Sequence, residues 1–167
     1  MFEASKIPSE DKTFFYTQLC LELSKLLATE DHWISKLANT SSLLHQNLES
    51  INWVGFYLVK NSELVLGPFH GKPACTKIPF GKGVCGTSIQ ICETVLVPNV
   101  HEFPGHIACD ANSNSEIVIP ILINGVRVGV LDIDSPILNR FTPEDKIGLE
   151  AVVKILEEKL SPFAGFL

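Results

Sequence analysis

Asn124-Gly125 stands between two apolar runs, residues 117–123 and 126–134, and this arrangement favours one local structure above all others, an antiparallel β-hairpin. Both central residues of a two-residue type I′ turn need positive φ, which Asn and Gly adopt at little cost. Strand periodicity then bears on chemistry. Asp132 and Asp134 lie two residues apart, so they project to the same face of the second strand, while Glu116 opens the first. Carboxylates set beside Ile117, Leu131 and Ile133 are expected where they bind a cation, donate a proton or accept from backbone donors. The plainer alternative is a solvated strand end facing a turn at Ser135-Pro136.

Helical spacing brackets the strands. Phe14, Phe15, Leu19, Leu23, Leu26 and Leu27 predict a helix from about residue 10, with Ser9 as its cap. A second helix, over residues 31–49, is predicted to turn Trp33, Ile34, Leu37, Ala38, Leu44 and Leu48 inward. Residues 51–59 read as a strand with Trp53, Gly55 and Tyr57 on one face and Phe56 and Leu58 on the other. Asn61-Ser62 turns the chain into an antiparallel partner, residues 63–69, ended by Gly67-Pro68. A glycine-rich loop follows from His70 to Gly86, with a short strand near residues 76–80. Next come a short helix at 87–92, a strand at 94–98 and a polar loop around Cys109. Thr142 as cap, Pro143 at the first helical position and acidic residues in the first turn start a last helix expected to reach Leu160. The elements predict an α+β class: one domain over residues 1–167, a central mainly antiparallel sheet with N- and C-terminal helices packed on one face.

With 167 residues, 46% of them hydrophobic, the chain can bury a core without metal or disulfide staples. A formal net charge of −6 argues against nucleic acid or an anionic membrane as partner, since both call for a basic face. No secretory signal and no bilayer-spanning run is visible. Five cysteines, an odd number without an export signal, predict the reducing cytoplasm and thiols used for chemistry or left buried.

Cys109 falls in the polar loop of residues 101–110, and Cys75 and Cys85 fall in glycine-rich surroundings. Such thiols suit redox exchange, in which one thiolate becomes a sulfenic acid and a second cysteine resolves it to a disulfide. Incidental loop cysteines are the alternative. Cys20, within a helix, and Cys92, after Ile89-Gln90-Ile91, read as packing residues. Cys75, Cys85, Cys109, His101 and His106 lack the close pairs of a zinc site, so no metal and no cofactor is expected. Gly81-Lys82-Gly83-Val84-Cys85-Gly86 satisfies G-x-G-x-x-G, but Pro79 in the strand before it and the missing βαβ unit argue against a dinucleotide. Thr87 stands where a phosphate-binding loop needs lysine.

Several segments together resemble the free methionine-(R)-sulfoxide reductases, stand-alone enzymes built on the GAF fold. They are Asn52-Trp53-Val54-Gly55-Phe56-Tyr57, Gly67-Pro68-Phe69-His70-Gly71-Lys72-Pro73-Ala74-Cys75, Gly83-Val84-Cys85-Gly86, Phe103-Pro104-Gly105-His106-Ile107-Ala108-Cys109-Asp110, Ser115-Glu116 and Leu131-Asp132-Ile133-Asp134-Ser135-Pro136. The resemblance implies that Cys109 attacks the sulfoxide sulfur of free methionine sulfoxide, that Cys75 resolves the sulfenic acid and that Cys85 is an additional thiol able to join the exchange. It also implies that Trp53, Tyr57, Glu116, Asp132 and Asp134 line the substrate pocket, that thioredoxin is the reductant and that the chain forms a homodimer. One departure is Asn99, where aspartate is expected, which bears on the hydrogen bonding beneath the Cys109 loop. A small-ligand-sensing GAF module without catalysis is the second function class, though a sensor has no need of three loop cysteines.

Overall fold

The computed structural model describes residues 6–8, 11–29, 32–105, 107 and 110–163. Helices α1 (Lys12–Leu26) and α2 (Trp33–Asn47) precede strands β1 (Trp53–Lys60), β2 (Glu63–His70) and β3 (Lys77–Pro79). Helix α3 (Gly83–Ile91), β4 (Val95–Val97), β5 (Ser115–Ile123), β6 (Val126–Ser135) and α4 (Pro143–Leu160) complete the order. The six strands form one sheet in the order β3-β2-β1-β6-β5-β4, and every pairing is antiparallel. The predicted α+β architecture is the one observed.

Its centre is the hairpin. Asn124 and Gly125 adopt φ of 52° and 78°, the left-handed pair the turn demands, and β5 and β6 pair from Ser115↔Ser135 to Ile123↔Val126. Alternation divides the sheet's two faces. Val54, Phe56, Ile117, Ile119, Ile121, Leu131 and Ile133 pack against Leu37 and Leu44 of α2 and Leu149, Val152 and Leu156 of α4, with α1 adding Leu19 and Leu23. On the reverse face Trp53, Tyr57, Val118 and Val130 pack with Val84, Cys85 and Ile89 of α3. The helix face therefore carries most of the hydrocarbon, at about 1.5–3 kcal/mol for each Leu or Ile fully buried.

Several expected boundaries shift. Helix α1 starts at Lys12, with Asp11 as cap accepting from the Phe14 N–H at 3.0 Å; Ser9 lies outside the described residues. Phe14 is exposed, while Phe15, Tyr16, Leu19 and Leu23 turn inward. In α2, Ile34 and Ala38 face solvent, and the buried stripe is Leu37, Thr40, Ser41 and Leu44. Thr40 and Ser41 can sit there because their hydroxyls donate to the carbonyls of Lys36 and Leu37 one turn back, at 2.7 and 3.1 Å. Gly67-Pro68 does not end β2. The register slips there, from Gly55↔Phe69 to Tyr57↔Leu66, and the strand continues to His70. Gly55 makes room for this: a Cβ there would collide with the Phe69 side chain.

The last helix starts as expected, with Asp145 accepting from the Thr142 N–H at 2.9 Å. The same carboxylate accepts from Lys12 Nζ at 2.6 Å and from the Tyr16 hydroxyl at 2.8 Å, which ties α1 to α4. No helix among the described residues is long and apolar enough to cross a membrane.

Candidate active site

The register brings three carboxylates together on the face turned away from α1, α2 and α4. Glu116 of β5 stands opposite Asp134 of β6, and Asp132 lies opposite Val118 on one side and Gly55 on the other. Glu116 and Asp132 are each 6% exposed, so the solvated strand end considered above does not apply. Cys85 of α3 closes the floor, its Sγ 4.0 Å from Glu116 Oε1. One oxygen of Asp132, Oδ1, has no hydrogen-bond partner among the described residues.

Burial controls the protons here. It pushes Glu116 and Asp134 well above the usual carboxyl range, and the charge of Asp132 pushes both in the same direction. Asp132 is raised by burial to about 6, held there by hydrogen bonding from Cys85, Glu116 and the Ile133 N–H. Burial, then Asp132 and Glu116, push the Cys85 thiol well above its ordinary value. The three carboxyls therefore titrate as one coupled cluster in which burial favours holding protons. Cys85 Sγ and one oxygen each of Glu116 and Asp132 lie within 4.8 Å of one another, donor types that zinc accepts. A metal would need those groups deprotonated, and burial favours the opposite.

Aromatic rings wall the cluster. Trp53 stacks on Tyr57 with centroids 5.9 Å apart and on Phe69 at 5.3 Å. Two cavities lie at the acids: one of about 30 Å³ bounded by Cys85, Asp110, Ser113 and Glu116, the other of about 20 Å³ bounded by Trp53, Tyr57, Pro73 and Ala74. Asp132 and Asp134 line both. Each has room for about one or two waters, so the site is closed in this state. A far larger cavity of about 460 Å³ lies between α1 and α4, lined by Tyr16, Cys20, Leu21, Ile147 and Gly148. It gathers no comparable set of acids and thiols.

The predicted cysteines separate. Cys75 is disulfide-bonded, while Cys20, Cys85 and Cys92 are free. Cys109 and His106 lie outside the described residues. Cys85 is not in a loop. It occupies the first turn of α3, which begins at Gly83 and not at Thr87, and it is 3% exposed. Glycine at 86 reflects this packing, because a Cβ there would collide with the Pro79 carbonyl oxygen. Cys20 is half-buried beside α4. Cys92, in the left-handed conformation that ends α3, accepts from Arg127 Nε at 3.1 Å.

Three residues given no role from the sequence belong to this neighbourhood. Asn52 Nδ2 donates to Asp110 Oδ2 and to Ser113 Oγ, at 3.2 and 3.1 Å. The position of Asp110 directly after Cys109 was the available signal; Asn52 and Ser113 had none, because their meeting spans the sheet. Asn99 replaces the expected aspartate without loss of bonding. Its Oδ1 accepts from the His101 N–H at 3.1 Å, and its Nδ2 donates to Glu102 Oε1 at 2.9 Å, a bond a carboxylate could not make.

Comparison with known proteins agrees with this geometry. Residues 16–159 match the GAF domain family. The chain is 50% identical over 151 residues to the free methionine-R-sulfoxide reductase of Escherichia coli, covering 90% of this chain and 92% of that one. It is 46% identical to the enzyme of the same name from Saccharomyces cerevisiae, covering 84% and 83%. Among solved structures, the free methionine-R-sulfoxide reductase of Neisseria meningitidis in complex with its substrate superposes with a TM-score of 0.92 at 40% identity, covering 98% of this chain and 99% of that one.

Proposed function

This chain belongs to the GAF domain family and, within it, to the free methionine-R-sulfoxide reductases, and from that membership we propose how its residues divide the work. It is an oxidoreductase that reduces free methionine-R-sulfoxide to methionine. That activity displaces the alternative of a sensing module without catalysis.

In our reading the Cys109 thiolate attacks the sulfoxide sulfur while the cluster protonates the sulfoxide oxygen. The oxygen passes to Cys109 as a sulfenic acid and methionine leaves. The Cys75 thiol then displaces that oxygen as water and forms a disulfide, and thioredoxin's two thiols restore both cysteines while becoming a disulfide themselves. One sulfoxide and two thiols thus give methionine, water and one disulfide. Cys75 stands disulfide-bonded, the state in which the resolving step leaves it. Cys85, buried and with a raised thiol pKa, serves as floor and hydrogen-bond donor; joining the exchange requires α3 to open.

The observation that carries this assignment is the trio of Glu116, Asp132 and Asp134 beside Trp53 and Tyr57, the first two buried and Asp134 half-buried. Asp132, whose Oδ1 has no hydrogen-bond partner among the described residues, binds the ammonium of the free amino acid. Glu116 and Asp134, whose burial favours the protonated form, donate protons to the sulfoxide oxygen. Trp53 and Tyr57 hold the S-methyl group and read the configuration at sulfur. We place the reaction in the cytoplasm, where thiols are kept reduced. A homodimer belongs to the same reading: Leu21 and Ile147, 50% and 69% exposed, rim the groove between α1 and α4.

Turnover of three substrates with dithiothreitol tests the assignment. Free methionine-R-sulfoxide is reduced, the S epimer is not, and an N-acetylated, C-amidated R-sulfoxide loses at least about tenfold in kcat/KM because it lacks the ammonium. Comparable rates on the capped substrate refute the anchoring role of Asp132.

A further inference from the structure

The chain segments that carry the two reactive cysteines are joined by a polar network whose members the reaction itself does not use. Lys72, three residues before Cys75, donates from Nζ to Asp110 Oδ1 at 3.4 Å, and Asp110 directly follows Cys109. The other oxygen, Oδ2, accepts from Asn52 Nδ2 at 3.2 Å, just ahead of β1, and the Asn112 N–H donates to Oδ1 at 2.9 Å. The Asp110 carboxyl is held below its usual range, mainly by that N–H, with Asn52 and Lys72 adding to it, so it is ionised at neutral pH. The backbone of Lys72 is fixed as well. Its carbonyl accepts from Trp53 Nε1 at 3.1 Å, and the preceding Gly71, at φ 139°, passes so close to the Trp53 ring and the Asn52 carbonyl that no Cβ would fit.

We infer that Lys72 is a positioning residue for the resolving step: its ammonium, drawn to Asp110, fastens the loop carrying Cys75 onto the loop carrying Cys109. The inference rests on the roles given above to those two cysteines. A resolving thiol must reach bonding distance of the sulfenic sulfur, and a tether beside both residues raises the fraction of time it is there. The partners differ in exposure, 12% for the Asp110 side chain and 61% for that of Lys72. Asp110 is therefore the built-in post and Lys72 the arm that lets go. An exposed pair is weak and screened by salt, so the fastening is reversible.

The test is a single turnover of the reduced full-length enzyme with free methionine-R-sulfoxide, following methionine release, sulfenic acid by dimedone trapping, and disulfide formation. Lys72→Met releases its equivalent of methionine at the wild-type rate, but its sulfenic acid resolves roughly two- to fivefold more slowly, the range an exposed ion pair supports. Lys72→Arg, which keeps the charge, resolves at close to the wild-type rate. Raising salt from about 0.05 to 0.5 M slows wild-type resolution and leaves Lys72→Met unchanged. Equal resolution rates in the wild-type protein and Lys72→Met, or an equal salt dependence, overturn the inference. Failure of the wild-type protein to release methionine brings down the reductase assignment, and the fastening with it.

Discussion

On β5 and β6, Ile117, Ile119, Ile121, Leu131 and Ile133 face the helices, whereas their neighbours Glu116, Asp132 and Asp134 face the cysteine-bearing segments. Successive residues of the same strands thus stand in opposite environments. The helix face is continuous hydrocarbon and stabilises the fold. The other face buries carboxyl groups, which costs stability unless they stay protonated or hydrogen-bonded. The comparison teaches that the first face makes the second affordable, and that substitutions on the two faces should separate stability from activity.

The sharpest separation is expected at Cys109, the proposed nucleophile. Cys109→Ser should lower turnover by at least about a thousandfold even with a chemical reductant, because a hydroxyl is a far weaker nucleophile than a thiolate. Cys20→Ala and Cys92→Ala should remain within about twofold of wild type; steady-state assays of all three place the chemistry on one thiol or spread it over several. Next is the hydrocarbon face. Ile121→Ala, at a fully buried site, should destabilise by about 2–5 kcal/mol while leaving kcat of the folded fraction nearly unchanged. A urea melt and an activity assay on the same sample check this, and a large fall in kcat would mean the faces are coupled.

A smaller effect on rate than at Cys109, and one of opposite sign on stability to that of Ile121→Ala, belongs to the acids. Glu116→Gln and Asp134→Asn should each cost at least about tenfold in kcat/KM. An acid whose pKa is raised on folding binds its proton more tightly in the folded state, so its burial costs nothing below the unfolded value and its full amount above the folded one. For Asp132 that window runs from 3.8 to about 6, and Glu116 and Asp134 extend it upward. Wild-type stability should therefore fall as pH rises through this range, and the amide variants should show a shallower fall in thermal midpoint against pH. A wild-type midpoint that climbs over the same range would show the acids to be stabilised by folding instead.

Legibility from the sequence varied with the range of the interaction involved. The turn at Asn124-Gly125 and the start of α4 at Thr142-Pro143 were plain, because their signals act over a few residues. On α2 the periodicity points Ile34 and Ala38 inward, but Thr40 and Ser41 take the inner face because their hydroxyls donate to carbonyls one turn back. Cys85 read as a loop thiol because three glycines surround it; what those glycines permit is close packing of α3 on the end of β3.

The sequence by itself determined the hairpin, the antiparallel class and the terminal helices, because backbone preference and side-chain periodicity are local properties written residue by residue. Only the tertiary structure decided that Glu116, Asp132 and Cys85, far apart along the chain, share one buried site, and hence that their proton affinities are raised together. A proton's affinity depends on the distance to neighbouring charges and on the water excluded around them, and both are set only once the sheet has closed against α3.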